Sequence, residues 1–438
     1  ISGKFEDQLE DENVEELSHG VRVFIENEML PMYKIIIKQE EPVPQYALKI
    51  LCAALDYDRG YVHAILEYNL LRDVIRCLYT RTRVGEGEMS VSTHAAKVLC
   101  HIVKDGEAKK PLSFEELTID TPQAGEVRIK LRSCGVCHTD YSLAKGILDH
   151  QPIPSVLGHE GSGVVEKIGP GVSRVKPGDH VVLHWRKGSG IESNTPNYFW
   201  NGKKLNAGRV TTFNEKAIVS ENRLTPINKD FDLKLAPLFG CSVTTAFGVV
   251  NNDAKVKIGQ SVVIFGVGGV GLNIAQAANM VSANPIIGVD VLQGKLTVGK
   301  KFGLTNIFKA NTKNLDDKIN KLAGGKGADV VIETTGNPKI IEKAYNLTSS
   351  DGKTILVGVP SKNINIYSLP LHFKKILTGS HGGSAIPDIE IPRYIRLINK
   401  KKMTLKNIIT HEFSLDDINK AIALFRTGKA GRIVIKMN

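Results

Sequence analysis

Apolar residues recur at two different periods along this chain, and the change of period divides it. Up to about residue 104 they fall three and four positions apart. Leu48, Leu51, Cys52 and Leu55 share one face of a helix over 45–55. Leu70, Leu71, Val74, Ile75 and Leu78 repeat the habit, as do Ala95, Ala96, Val98, Leu99, Ile102 and Val103. Polar or glycine-bearing breaks at 57–60 and 85–90 separate these runs. From residue 107 the apolar runs shorten. Segments 126–131, 163–168, 180–183 and 215–219 read as strands, divided by turn signals at 122–125, 169–171 and 176–179. From residue 261 strand and helix alternate. Ser261-Val262-Val263-Ile264-Phe265 predicts a buried parallel strand, 272–280 a helix, and 286–289 a second strand. Strands at 329–332 and 354–357 follow, with a helix at 339–346 between them. Such alternation predicts a doubly wound parallel sheet. The tail, 389–438, mixes both patterns and is expected to return to the β-rich part.

The first strand and helix of the alternating part are joined by Gly266-Val267-Gly268-Gly269-Val270-Gly271. Gly266 permits a tight turn, Gly268 lets backbone approach a pyrophosphate, and Gly271 lets helix and strand pack closely. The helix N-terminus offers free N–H groups to phosphates. Asp290 closes the second strand 19 residues after Gly271, near the roughly 20 expected for an acid that holds a ribose. The unit predicts a dinucleotide site, and a carboxylate there favours NAD over NADP by repelling a 2′-phosphate.

Helices with one apolar stripe cannot bury it alone, so those before residue 104 are expected to stack as an α-solenoid. The segment resembles armadillo or HEAT repeats; an ordinary helical bundle is the alternative. Two or three repeats are marginal by themselves, which suggests a piece of a longer array or docking on a neighbour. The expected organisation is therefore multidomain: residues 1–104 all-α, 105–242 with 384–438 β-rich, and 243–383 dinucleotide-binding. No apolar run approaches the ~18 residues of a membrane span, and the polar, acidic start is not a signal peptide. A cytoplasmic protein is expected, and the absence of an initiator Met suggests a processed or partial chain. The net charge of +11 is uneven: residues 1–104 carry 12 Lys and Arg against 17 Asp and Glu, the remainder 45 against 29. No basic stripe interleaved with aromatics occurs, which argues against nucleic acid as a partner.

The six cysteines are Cys52, Cys77, Cys100, Cys134, Cys137 and Cys241. Metal chemistry concentrates around three of them. Cys134-Gly135-Val136-Cys137-His138-Thr139-Asp140 is followed, 22 residues after Cys137, by His159 in Gly158-His159-Glu160. Cys241 stands just before the dinucleotide unit. Two thiolates and an imidazole are the ligands of an open catalytic zinc site. Cys134-x-x-Cys137 alone is also compatible with half a zinc knuckle or a redox pair, but no second Cys-x-x-Cys completes the former.

These motifs, with Gly158 to Val165 and Val175-Lys176-Pro177-Gly178-Asp179-His180-Val181, resemble the zinc-dependent medium-chain alcohol dehydrogenases over about three quarters of the chain. The resemblance implies a GroES-like barrel beside a Rossmann domain, and oxidation of a primary or secondary alcohol to aldehyde or ketone. It implies Cys137, His159 and Cys241 as catalytic zinc ligands, with Glu160 close behind the metal and able to swap in, and Asp140 orienting His159. Thr139 would take the substrate proton. His138 and Arg432 would contact pyrophosphate, Lys295 the adenosine ribose, and Thr245 the nicotinamide. Val357, with Gly266 to Gly271 and Asp290, completes the cofactor-binding set. A homodimer or homotetramer is implied.

Three departures matter. The four cysteines that hold a structural zinc in many relatives are missing, and 186–211 stands in their place, so one zinc per chain is expected. Ser142 occupies the position where some relatives end the proton relay with a histidine. The opening strand of the β-rich domain is either disguised within 98–103 or lost. His372 and His381 are assigned to solvent or core. The alternative function is an interaction protein, in which the helical segment binds a protein partner and the dehydrogenase part is inactive.

Overall fold

The computed structural model describes residues 32–33, 50–51, 112–144, 154–360 and 362–437. The chain divides into two compact units, Ile1–Pro111 and Leu112–Asn438. In the first, Met32–Tyr33 and Ile50–Leu51 are helical, and in each pair the second residue is buried and the first exposed. Leu51 belongs to the run predicted at 45–55. The other predicted runs, including 98–103, lie outside the described residues.

The second unit opens with β1 (Thr118–Ile119), β2 (Glu126–Gly135), α1 (His138–Ala144), β3 (Ser155–Val156), β4 (Glu160–Ile168) and β5 (His180–His184). Next come β6 (Tyr198–Trp200), β7 (Lys203–Ala207), β8 (Lys216–Ser220), β9 (Leu224–Ile227) and α2 (Ser242–Gly248). The alternating part holds β10 (Val262–Phe265), α3 (Gly269–Met280), β11 (Ile286–Asp290), α4 (Gln293–Lys301), β12 (Asn306–Lys309) and α5 (Leu315–Leu322). It continues through β13 (Ala328–Glu333), α6 (Pro338–Leu347), β14 (Thr348–Leu356) and β15 (Ile376–Gly379). The tail forms α7 (Pro387–Asn399), β16 (Ile409–Ser414), α8 (Ile418–Arg426) and β17 (Arg432–Lys436).

Six strands form one sheet in the order β12-β11-β10-β13-β14-β15, every pair parallel. The order reverses between β10 and β13, and ligands of such sheets bind in the crevice at that point. The unbroken apolar run of β10 follows from burial on both faces. Val262 and Ile264 pack into the core that holds α3; Val263 and Phe265 pack into the opposite one, with Leu315 of α5 and Leu347 of α6.

The β-rich part centres on β2. Along one flank its first half pairs with β8 and its last three residues with β17, and along the other it pairs with β4. β16 and β17 of the tail join the β-rich sheet, while Ile391, Tyr394, Ile395 and Ile408 pack into the core that holds α3. The insertion at 186–211 is built without cysteine. β6 and β7 form a hairpin whose turn residues Asn201 and Gly202 both have positive φ, 50° and 74°, the backbone that a two-residue turn joining twisted strands requires. Tyr198 is buried and receives Thr211 Oγ1 (2.8 Å) and the Ile218 N–H (3.0 Å) at its hydroxyl. Glu192 gathers Arg209 (2.9 Å) and Arg223 (2.5 Å). Glu221 accepts the N–H groups of Ser173, Arg174 and Ile191 at 2.7–3.0 Å.

Candidate active site

Three chain segments converge at one point. Cys137 follows the end of β2, His159 precedes the first residue of β4, and Cys241 precedes α2. One Sγ from each cysteine and a ring nitrogen of His159 all lie within 4.8 Å of one another, and the two sulfurs are 4.0 Å apart. This is the only such group of three or more metal-ligating side chains among the described residues. Asp140 orders it. Its carboxylate is 1% exposed and accepts the N–H of Cys137 (3.1 Å), the N–H of Gly158 (3.1 Å) and His159 Nδ1 (2.9 Å). That leaves His159 Nε2 for the thiols.

The electrostatics match a cation site. A hydrogen bond from the Cys241 thiol holds Cys137 well below an ordinary thiol despite burial, with His159 and Arg432 adding to the effect. The same pairing, with burial, pushes Cys241 up. Burial pulls His159 down, but Asp140 and the Cys137 thiolate outweigh it and hold the imidazole well above its usual value. Two sulfurs and one nitrogen, crowded and sharing protons, are a donor set suited to zinc, which displaces those protons on binding.

Glu160 and Arg432 lie behind this group. Glu160 is fully buried; its Oε1 accepts from Arg432 Nη2, and its Oε2 is buried without a partner among the described residues. Arg432, also buried, runs along the glycine turn: a Cβ built on Gly269 would lie 2.4 Å from Arg432 Cδ. One side chain therefore touches the dinucleotide turn with its stem and the back of the metal group with its charge.

The turn has the geometry its glycines suggest. Gly266 adopts φ +89°, and a Cβ on Gly271 would fall 2.0 Å from the Gly266 carbonyl oxygen. Gly268 faces open space, with nothing within 4 Å of a built Cβ, just ahead of the uncapped first turn of α3. Asp290 is buried, and its carboxylate accepts the N–H of Val267 (2.8 Å) in the turn and of Leu292 (2.9 Å). Gly271→Ala is expected to lose about 1–3 kcal/mol by overpacking and to weaken dinucleotide binding, while metal content stays at the wild-type level. Denaturant unfolding, a dinucleotide titration and metal analysis check it. Unchanged dinucleotide affinity would refute the close packing.

The remaining predicted residues are placed as follows. Thr139 is half-buried, its Oγ1 4.0 Å from Cys137 Sγ. His138 is exposed, 5.8 Å from the rings of Tyr141 and Phe425. Thr245 is buried on α2, and its N–H donates to the Cys241 carbonyl at 3.0 Å. Lys295 is half-buried on α4. Val357 is half-buried just past β14, its N–H on the Glu333 carbonyl at 2.8 Å. Ser142 is buried on α1.

The pattern of residues did not reveal a wall beside the metal group. Trp185, directly after β5, neighbours Cys241 and partly offsets the upward push on that thiol. Its ring meets His381 edge-on, with centroids 4.9 Å apart. His381 is exposed, within the solvent-or-core expectation, and its ring also packs on Trp185. The signal available was the position of Trp185 at the end of a strand leading out of the metal domain.

Comparison with known proteins agrees with this geometry. The family described as "Alcohol dehydrogenase GroES-like domain" matches residues 123–229, and "Zinc-binding dehydrogenase" matches 269–400. The chain is 31% identical over 373 residues to S-(hydroxymethyl)glutathione dehydrogenase of Paracoccus denitrificans, covering 75% of this chain and 97% of that protein. The chain belongs to the zinc-type alcohol dehydrogenase family. Alcohol dehydrogenase 2 of Oryza sativa subsp. japonica is 32% identical over 376 residues, covering 78% of this chain and 99% of its own length. The crystal structure of benzyl alcohol dehydrogenase from Acinetobacter calcoaceticus superposes with a TM-score of 0.68 at 28% identity, covering 75% of this chain and 96% of that one. The β-rich part is thus GroES-like, the six-stranded part Rossmann-type, and this alcohol dehydrogenase is an oxidoreductase acting on alcohols. A third family, "Serine/threonine-protein kinase ULK4-like, HEAT repeats", matches residues 4–63. No helix among the described residues is long and apolar enough to cross a membrane.

Proposed function

We propose that the protein oxidises a small primary or secondary alcohol to the aldehyde or ketone, with NAD as coenzyme and one catalytic zinc per chain. The observation that carries this reading is the convergence of Cys137, His159 and Cys241 within 4.8 Å, held by buried Asp140. Those three residues hold the ion. When bound, zinc supplies Lewis-acid polarisation of the alcohol oxygen and the dinucleotide supplies the hydride acceptor. Asp140 fixes the tautomer and orientation of His159. The half-buried Thr139 hydroxyl takes the alcohol proton and passes it outward through Ser142 or water. The turn from Gly266 to Gly271, with Val270 and the first N–H groups of α3, receives the pyrophosphate; His138 and Arg432 flank it, Lys295 and Asp290 hold the ribose, and Thr245 and Val357 face the nicotinamide. Glu160 stays in reserve as a further ligand.

Two measurements test the reading. NADH formation is followed by absorbance over a panel of alcohols, with and without a chelator; no NADH despite bound zinc would favour the interaction-protein alternative. Turnover with NAD is expected to exceed that with NADP by at least ~10-fold, from the Asp290 carboxylate facing a 2′-phosphate; equal turnover would sink the coenzyme assignment. Metal analysis is expected to return one zinc per chain, since ion pairs and the Tyr198 hydroxyl hold 186–211 together without cysteine.

Assembly as a homodimer or homotetramer through the nucleotide sheet is supported by β15, the last strand of its sheet among the described residues, with Phe373 and Ile376 exposed. The HEAT-repeat match favours a protein partner for residues 1–104.

A further inference from the structure

Five arginines of the β-rich part sit on carboxylates. Arg128 sits on Glu166, Arg174 on Asp388, Arg209 and Arg223 on Glu192, and Arg432 on Glu160. Arg186 is half-buried and has no such partner among the described residues. It follows Trp185 out of β5, and its guanidinium carbon lies 5.8 Å from the indole centroid.

The guanidinium is nevertheless held in place. Nε donates to the Ala385 carbonyl at 2.9 Å, and Nη1 donates to the His381 carbonyl and to His381 Nδ1. All these acceptors are neutral. The nearest acids attract it only from a distance and are spent on other donors. Asp253 takes the hydroxyls of Ser380 and Ser384 at 2.6 Å each, and Glu390 takes Asn252 Nδ2 (3.1 Å) and the Tyr394 hydroxyl (2.8 Å). Nη2 has no acceptor among the described residues. Because His381 Nδ1 accepts from Arg186, its Nε2 carries the proton and adds a second donor. A fixed, partly desolvated guanidinium with unused N–H groups is how an oxyanion is recognised, since its ordering cost is met before the ligand arrives.

We propose that Arg186, assisted by His381, binds an anionic group of the substrate, so that the alcohols oxidised here carry a carboxylate or a phosphate at the end remote from the hydroxyl. This rests on the alcohol oxidation assigned above to the zinc group and adds to it the class of substrate.

The test uses the full chain loaded with zinc. Short ω-hydroxycarboxylates are compared with their methyl esters, and phosphorylated alcohols with the parent diols, in wild type, Arg186→Gln and Arg186→Lys. The acid is expected to exceed its ester in kcat/KM by ~10- to 100-fold, the span of a charge-assisted hydrogen bond. Arg186→Gln is expected to lower the acid's value by that factor more than the ester's, and Arg186→Lys to retain most of the preference. Whichever anion shows the larger preference names its source. A second readout needs no turnover. Tryptophan fluorescence, reporting Trp185, is titrated with a dicarboxylate or phosphate lacking the alcohol, and saturable quenching is expected in wild type but not in Arg186→Gln. Equal turnover of acid and ester, or equal loss of both in Arg186→Gln, would overturn the proposal and leave Arg186 a tie between two loops. Failure to oxidise any alcohol overturns the oxidation itself, and the quenching titration still decides whether the anion site exists.

Discussion

Asp140→Asn is expected to weaken zinc retention by about 10- to 100-fold, the cost of losing a carboxylate behind a metal-binding histidine. The reason lies in the count of donors. Oδ1 accepts from the Gly158 N–H and His159 Nδ1, and Oδ2 accepts from the Cys137 N–H. A carboxylate satisfies all three; an amide cannot. Turned one way, its NH₂ opposes the Cys137 N–H, and turned the other it opposes both remaining donors. The better orientation still leaves a buried backbone donor unpaired, at about 1–3 kcal/mol. It also exchanges a charged acceptor for a neutral one at His159, so the imidazole is held less firmly toward the thiols. Competition with a chromogenic chelator measures the affinity, and unfolding of the metal-free protein measures the stability. A stability loss with unchanged zinc affinity would confine Asp140 to the loop and remove it from the metal site.

How much of this was legible depended on how local each requirement is. The glycine turn is legible because its constraints act over six residues: a positive φ at Gly266 and a 2.0 Å approach at Gly271 admit no side chain. β10 and β11 are legible because burial on both faces demands unbroken apolar runs. The candidate metal group was legible from its residue types together with the resemblance, since the spacing of Cys134 and Cys137 alone left a knuckle or a redox pair open. Cys134 is buried in the core of the β-rich part and is not one of the three side chains that converge. The hairpin of β6 and β7 carried a signal, Asn201-Gly202, that the reading of 186–211 as the segment in place of the missing cysteines passed over. The pairs that join distant segments carried none. Arg186 meets His381 across 195 positions, and Arg432 meets Glu160 across 272. No period or motif encodes such a pairing, because the fold creates the neighbourhood.

The Arg432–Glu160 pair is where the second large effect is expected. Arg432→Met should cost about 3–5 kcal/mol, because removing one partner of a buried pair strands the other charge. Here the stranded group is a carboxylate with no exposed surface and one oxygen already lacking a partner among the described residues. Adding Glu160→Gln removes that charge, and most of the loss should return, since uncharged replacements of a buried pair are often neutral. Denaturant unfolding of the four proteins gives the coupling directly; additive losses would mean the two side chains are energetically independent. The same four proteins separate the two roles that position 432 can have. The stem of Arg432 lies against Gly269 of the turn proposed to receive the pyrophosphate, while its guanidinium faces Glu160. If the residue also attracts the phosphates, the double variant regains stability but keeps a dinucleotide Kd weaker by ~10-fold or more, the share of one charge-assisted hydrogen bond. If it serves only Glu160, the double variant recovers both. The first outcome is expected, because a guanidinium between a buried acid and an open glycine turn can donate to both sides without moving its stem.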